Sequence, residues 1–150
     1  MPLAPFAGLA WDWANALGYL GLAIILLLFI YAGRPRAFPP FGGRFFANLH
    51  RDLGYLALLL VAAHVGVLLA AEPLLLEHLK PSAPLYMLAG LVATALLLVL
   101  VVPSITGLRR RIWRDYRRFK RLHAWLAIAC VAFIALHVAG SRFYLNTPLK

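Results

Sequence analysis

Residues 122–138 read LHAWLAIACVAFIALHV, an uncharged apolar run with histidines at positions 123 and 137. Residues 49–65, LHRDLGYLALLLVAAHV, follow the same pattern, and in both runs the two histidines are 14 residues apart. At about 3.6 residues per turn, 14 residues make just under four turns, so the histidines of each run share one helix face. With a rise of about 1.5 Å per residue, they lie about 21 Å apart along the axis. The repeat therefore predicts two similar long helices, each with histidine at two depths.

Four apolar spans of this kind occur in the 150 residues, each close to the roughly 20 residues that cross a bilayer. They run from about residue 13 to 31, 48 to 71, 85 to 102 and 120 to 140, and each is followed by Gly, Pro or polar residues. The chain is 63% hydrophobic and only 13% charged, which is atypical of a soluble domain. The sequence predicts an all-α membrane protein, a four-helix transmembrane bundle that forms a single domain over residues 1–150.

The positive charge predicts the orientation in the membrane. Two loops and the helix starts that follow them hold 12 of the 15 lysines and arginines: Arg34, Arg36, Arg44 and Arg51 in one, and Arg109, Arg110, Arg111, Arg114, Arg117, Arg118, Lys120 and Arg121 in the other. The positive-inside rule places both loops in the cytoplasm and both termini outside. We expect the membrane to be a bacterial inner membrane, with the termini in the periplasm. Because the basic runs flank membrane spans, we expect them to contact anionic lipid rather than nucleic acid.

Several kinds of site are excluded by the residues present. The single cysteine, Cys130, rules out a disulfide framework and a Cys-rich zinc or iron–sulfur site. The chain has no Cys-x-x-Cys-His for covalent c-type haem and no glycine-rich nucleotide loop. His78, in a loop outside the spans, is expected to be a solvated loop residue. The function is therefore expected to depend on the four histidines within the second and fourth spans.

The second and fourth helices are separated by one helix, so they should run in the same direction. His50 is then expected to face His123 near the cytoplasmic side, and His64 to face His137 nearer the outer side. Ionisable residues inside membranes are usually functional, and bundle cores are common cofactor sites. Each pair of facing imidazoles is suited to ligate one b-type haem, which predicts two haems. A di-zinc site, with two protein ligands at each level, and a proton relay remain alternatives.

Further residues near the histidines suit a haem-binding bundle. Gly54 follows His50 by one turn, and Gly66 and Gly140 lie near the deeper histidines. Such small residues either let a porphyrin approach the backbone or allow close helix packing. Cations at the two levels can bind haem propionates or extend to lipid headgroups: Arg44, Arg51, Lys120 and Arg121 at the inner level, and Arg142 at the outer level.

The stretch PSITGLRRR at residues 103–111, followed by Trp113 and the histidine helix, resembles the ferric-reductase-like transmembrane domain. This is the membrane part of ferric reductases, of NADPH oxidases and of the haem-binding subunit of the bacterial periplasmic methionine sulfoxide reductase system. The run from His50 through Leu53-Gly54-Tyr55 to His64 resembles the earlier histidine helix of that family. The resemblance extends from about residue 44 to 140.

In that family the matching histidines ligate two b-type haems that pass electrons across the membrane. The resemblance carries this role to His50, His64, His123 and His137. The core of that family usually has six helices, whereas four are found here. Many members of the family continue into a flavin and nicotinamide dehydrogenase domain. We therefore expect either one subunit of a larger system or a minimal member served by a separate reductase or by quinol.

The predicted function is that of a di-haem b-type cytochrome, an electron-transfer oxidoreductase or a subunit of one. Its donor, a flavin reductase or quinol, would act on the cytoplasmic side, and its acceptor on the outer side. Since four helices are few to enclose two haems, a homodimer or a partner helix is expected to complete the sheath. The alternatives are a quinol-oxidising cytochrome b subunit with Asp52 as its acid, a haem-handling membrane protein and a structural membrane anchor.

Overall fold

The computed structural model describes residues 5–32, 43–71, 76, 80–113 and 115–141. Its helices are α1 (Pro5–Ala32), α2 (Gly43–Ala71), α3 (Leu85–Val101), α4 (Thr106–Ile112) and α5 (Tyr116–Ser141), with a 3-10 turn at Val102–Ser104. No strand occurs among these residues. Four helices, α1, α2, α3 and α5, are long and apolar enough to cross a membrane. The all-α fold with four membrane spans is confirmed, while the side on which the termini lie stays a prediction.

Three of the spanning helices begin earlier than their apolar runs suggested. The clearest physical reason is at α5, where the Asp115 carboxylate accepts hydrogen bonds from the backbone N–H groups of Arg117, at 2.8 Å, and Arg118, at 3.4 Å. Asp115 is therefore the N-cap residue of α5, because its carboxylate binds backbone N–H groups that have no partner inside the helix. The cap starts α5 at Tyr116, so its first turn is polar and precedes the apolar run.

The chain forms two compact units, residues 1–73 and 74–150. In the first, α1 and α2 form an antiparallel hairpin that packs through small residues. Ala14 and Ala57 are completely buried. A Cβ added to Gly21 would lie 3.3 Å from Val61 Cγ2 and 3.9 Å from the Ala57 carbonyl oxygen. Close approach of backbones through Gly and Ala is the usual mode of helix packing in membranes.

The second unit contains α3 and α5, which also pack as an antiparallel hairpin. Cys130 is only 1% exposed, and its thiol lies 3.5 Å from the Ala93 carbonyl oxygen as a weak hydrogen-bond donor. Ala93 is buried on the facing helix. Gly140 packs directly against the Tyr86 side chain. Cys130 is therefore a core residue of this hairpin.

The two hairpins share one register. Contacts between α1 and α2 recur between α3 and α5. The α3 residue number is the α1 number plus 72, and the α5 number is the α2 number plus 73. Ala14–His64 recurs as Tyr86–His137, Gly18–His64 as Gly90–His137, and Gly21–Ala57 as Ala93–Cys130. The repeat seen in the two histidine helices thus extends to the membrane-spanning helix before each of them, α1 before α2 and α3 before α5.

Large apolar side chains cover the outside of the helices. Leu59 in α2 is 66% exposed, and Trp125 and Leu136 in α5 are 70% and 59% exposed. No polar or charged side chain is fully buried among the residues that the structure describes. Because lipid accepts apolar side chains on helices whose backbone hydrogen bonds are satisfied internally, these surfaces suit a bilayer. The chain is a multi-pass membrane protein.

Candidate functional site

The deeper histidine of the first hairpin is held by the backbone of the facing helix. His64 lies in α2, and its Nδ1 is 2.6 Å from the Ala14 carbonyl oxygen in α1. A carbonyl oxygen only accepts hydrogen bonds, so Nδ1 must carry the proton and donate it. In a neutral imidazole, the second ring nitrogen, Nε2, then carries the lone pair.

Gly18 makes room for this ring. It lies one helical turn after Ala14 in α1. A Cβ added there would lie 2.9 Å from His64 Nδ1 and 3.1 Å from Cε1. These distances are shorter than the usual carbon contacts of about 3.5–4.0 Å, so a side chain at residue 18 would displace the ring. Glycine therefore allows the imidazole to lie against α1.

The second hairpin repeats this arrangement. His137 Nδ1 in α5 is 2.8 Å from the Tyr86 carbonyl oxygen in α3. A Cβ added to Gly90, one turn after Tyr86, would lie 2.7 Å from Nδ1 and 2.9 Å from Cε1 of His137. The Tyr86 and His137 rings are also neighbours, with centroids 6.4 Å apart. By the same argument, Nδ1 of His137 is the donor and Nε2 carries its lone pair.

A neutral imidazole with Nδ1–H bound to a carbonyl is in the form that ligates metals. The carbonyl fixes the ring's tautomer and orientation and raises the basicity of the ligating nitrogen. Within the described parts of the chain, no three His, Cys, Asp or Glu side chains are grouped where they could hold a metal ion. A structural zinc site uses four protein ligands. Each of the two imidazoles is therefore in a form that can serve as one ligand of a metal centre.

The two inner histidines share helix faces with the deeper ones. His50 is half-buried in α2 and lies beside the backbone of Leu28 in α1. His123 is half-buried in α5, and its ring centroid is 5.4 Å from that of Phe119. Because α2 and α5 are each continuous over these positions, the 14-residue spacing places the two histidines of each helix on one face, about 21 Å apart along the axis.

The arginines and the glycine predicted to lie near the inner haem, beside His50 and His123, differ in their surroundings. Arg51 is exposed and forms an ion pair with Asp52 at 2.8 Å. Arg121 is exposed near the start of α5. A Cβ added to Gly54 would meet no atom within 4 Å, so Gly54 makes no close helix contact here. The surface of α2 is therefore open at Gly54, one turn after His50. That a porphyrin lies against Gly54 stays a prediction.

The other two glycines considered in the sequence also differ. Gly66 has no atom within 4 Å of an added Cβ, whereas Gly140 is a close packing contact of α5 with Tyr86. Arg142 and His78 lie outside the described residues, as does the side chain of Arg44. The propionate-binding roles of Arg44 and Arg142 therefore stay predictions.

Aromatic rings organise part of the basic end of the second hairpin. The guanidinium carbon of Arg109 lies 5.4 Å from the ring centroid of Tyr116 and 5.9 Å from that of Phe119. The ammonium of Lys120 lies 5.1 Å from the Tyr116 ring. These are cation–π distances. Lys120, expected near a propionate, is thus engaged with Tyr116 in this structure.

Sequence reasoning missed the partners of the deeper histidines. They are the carbonyl groups of Ala14 and Tyr86 and the two glycines, Gly18 and Gly90. One signal was available, because Gly18 and Gly90 are 72 residues apart and the deeper histidines are 73 apart. The carbonyl contacts had no signal of their own, since every residue has a carbonyl group.

A comparison with protein-family models matches residues 17–134 to the model described as "Ferric reductase like transmembrane component". The match covers more than half of the chain, reaches from α1 into α5 and ends just before His137. No curated protein and no solved structure matched the chain. The chain belongs to the family of ferric reductase like transmembrane components.

Proposed function

We propose that the chain is a di-haem b-type cytochrome that moves electrons across the membrane. The observation that carries this proposal is the matched pair His64 and His137. Each imidazole has its Nδ1 proton bound to a backbone carbonyl and its lone pair on Nε2, as an iron ligand requires. Membership of the ferric-reductase-like family supports transmembrane electron transfer. The two levels on each histidine helix support two haems rather than one.

In the proposed arrangement, His64 and His137 ligate the outer haem, and His50 and His123 ligate the inner haem. When bound, b-type haem supplies a one-electron iron(III)/iron(II) couple. The protein supplies neutral imidazoles, which add no charge to the apolar interior. Its apolar side chains exclude water, and low dielectric around the iron is one of the factors that set its potential.

Charged and small residues have supporting roles in this proposal. Arg44 and Arg121 bind propionates of the inner haem, and Arg142 binds a propionate of the outer one. Arg51 can do so only in competition with Asp52, its ion-pair partner at 2.8 Å. Gly54 leaves room for the porphyrin edge beside α2. Guanidinium groups suit this role because they bind carboxylates in a bidentate geometry.

The proposal includes partners and a location, which the charge distribution and the family support. The basic loops lie on the cytoplasmic side of a bacterial inner membrane, where a separate flavin reductase or quinol delivers electrons. The acceptor acts at the outer side, near the His64 and His137 level. A second copy of the chain completes the sheath around the haems. Anionic lipid, and not nucleic acid, contacts the basic loops.

The test is haem content in purified single variants. Pyridine haemochrome analysis is expected to give two haems for the wild type and one for His64→Ala, His137→Ala, His50→Ala or His123→Ala. The matched control is His78→Ala, which removes the fifth histidine and should keep both haems. Electron paramagnetic resonance should identify the remaining haem as low-spin. Full haem content in all four ligand variants would contradict the proposal.

The alternatives give different results in the same assay. A haem-handling protein would release haem during gel filtration or show high-spin, single-histidine ligation. A structural anchor would bind no haem and would assemble normally in the histidine variants. A quinol-oxidising subunit would be reduced by quinol and would lose this reduction in Asp52→Asn. The Arg51–Asp52 ion pair gives Asp52 a role without quinol, so we expect Asp52→Asn to have no such effect.

A further inference from the structure

We propose that Gly18 and Gly90 are positioning residues for the two outer ligands. Each glycine lets an imidazole lie against its helix, where the carbonyl four residues earlier holds the ring's Nδ1 proton. The backbone of α1 thus sets the tautomer and orientation of the His64 ring, and the backbone of α3 sets those of the His137 ring. The inference rests on the proposed function, because it concerns how His64 and His137 present Nε2 to iron.

Two constraints act on each ring at once. In the first hairpin, the Ala14 carbonyl holds His64 Nδ1 at 2.6 Å. An added Cβ at residue 18 would be 2.9 Å from the same Nδ1 atom, 3.1 Å from Cε1 and 3.4 Å from Cγ, so it would press on the ring beside the atom that the carbonyl holds. A methyl group there would displace the ring from the position in which Nδ1 reaches the carbonyl. The hydrogen bond and the side chain therefore cannot both be kept without a shift.

The same constraints recur in the second hairpin with other side chains. The residue that supplies the carbonyl is alanine in α1 and tyrosine in α3. What the two hairpins share is the backbone carbonyl, the glycine one turn later and the histidine on the facing helix. Gly90 is the tighter of the two, with its added Cβ 2.7 Å from His137 Nδ1. Since the side chains differ, the shared backbone geometry is the feature that positions the imidazoles.

This contact is not general for glycines among the described residues. Added Cβ atoms at Gly8, Gly54, Gly66 and Gly107 would meet nothing within 4 Å. Gly21, on the same helix as Gly18, packs against Val61 at 3.3 Å and not against a histidine. The chain therefore offers two matched controls on α1. Gly8→Ala changes an uncrowded glycine, and Gly21→Ala changes a tightly packed one.

The first experiment measures haem retention in the full chain. Transfer of haem to apomyoglobin is followed for the wild type, Gly18→Ala and Gly90→Ala. Loss of a group that orients a metal ligand typically lowers affinity about 10–100-fold. We expect the outer haem to leave about 10–100-fold faster in both variants, with shifted g-values and midpoint potential, while the inner haem is retained. Gly8→Ala and Gly21→Ala should match the wild type.

The second experiment does not depend on haem. Histidine is labelled with nitrogen-15 in the full chain in detergent, before haem is added, and the two ring nitrogens are distinguished by NMR. The proton is expected on Nδ1 in His64 and His137. In Gly18→Ala, only the His64 signal should change, and in Gly90→Ala only that of His137.

The outcomes separate this inference from the proposed function. If the wild type binds two haems and Gly18→Ala and Gly90→Ala behave like Gly21→Ala in the transfer and spectroscopic assays, the positioning role is overturned and the function stands. If the wild type binds no haem, the proposed function fails, and the NMR result alone decides the positioning of the rings. Protonation of both histidines at Nε2 would overturn the inference in either case. Equal loss of both haems in the alanine variants would also overturn it, because it would indicate general disruption.

Discussion

Replacing Gly140 by alanine tests how tightly the second hairpin is packed. An added Cβ would overlap the Tyr86 Cβ and lie 3.0 Å from its Cγ. The Tyr86 Cβ is attached directly to the backbone, so a side-chain rotation cannot relieve the overlap. Ordinary carbon contacts are about 3.5–4.0 Å, and the overlapping Tyr86 Cβ is the closest atom, so Tyr86 must move by roughly 1 Å or more. Gly140→Ala should therefore push α3 and α5 apart.

This movement should lower the free energy of unfolding, and the contacts of Tyr86 indicate by how much. Its carbonyl accepts the 2.8 Å hydrogen bond from His137, and a movement of this size along the bond would lengthen it to about 3.8 Å, beyond the usual range of about 2.7–3.2 Å. Overpacking costs about 1–3 kcal/mol, and the loss of the hydrogen bond costs about 1 kcal/mol more. Alanine recovers about 1 kcal/mol through its higher helix propensity. The expected net loss in the free energy of unfolding is about 1–3 kcal/mol.

The assay is equilibrium unfolding by SDS in mixed micelles, followed by circular dichroism of the helices. Gly8→Ala is the control, because its added Cβ meets nothing within 4 Å and it should be as stable as the wild type or slightly more so. A Gly140→Ala protein with wild-type stability would refute the reasoning, because α3 and α5 could not then be packed through this residue.

Three further predictions use the same unfolding assay. Cys130→Leu should cost about 1–3 kcal/mol, because the 1% exposed thiol leaves no room for a larger side chain, and a stable variant would contradict the packing of α5. Asp52→Asn should leave the stability unchanged, because its ion pair with Arg51 is solvent-exposed, and a measurable loss would indicate a further contact. Tyr116→Ala should cost about 0.5–1 kcal/mol for the lost cation–π contact with Arg109, and unchanged stability at low salt would argue against that contact.

The main features of the fold could be predicted from local sequence. Four runs of about 20 apolar residues leave helices as the simplest way to satisfy the backbone in lipid. The 14-residue spacing placed His50 with His64, and His123 with His137, on single faces because helical periodicity is fixed. The start of α5 was predicted too late because the apolar run was used as the boundary. Asp115, which caps the helix, lies before that run.

The positioning of the deeper histidines could not be predicted in the same way. The hydrogen bond from His64 to the Ala14 carbonyl depends on the register between two helices, which no pattern within one helix specifies. The small residues of α1 indicate close packing but not which residue faces the imidazole. Gly18 and Gly90 become informative only when the hairpin repeat is extended from the histidine helices to their partners.

The central claim is that the four histidines of α2 and α5 ligate two b-type haems. The most direct measurement is the ratio of haem to protein in the purified wild-type chain after haem-supplemented expression. It combines a pyridine haemochrome assay with spectra before and after dithionite. The account predicts two haems per chain with low-spin, bis-histidine bands that respond to dithionite. A chain that carries no haem would contradict it.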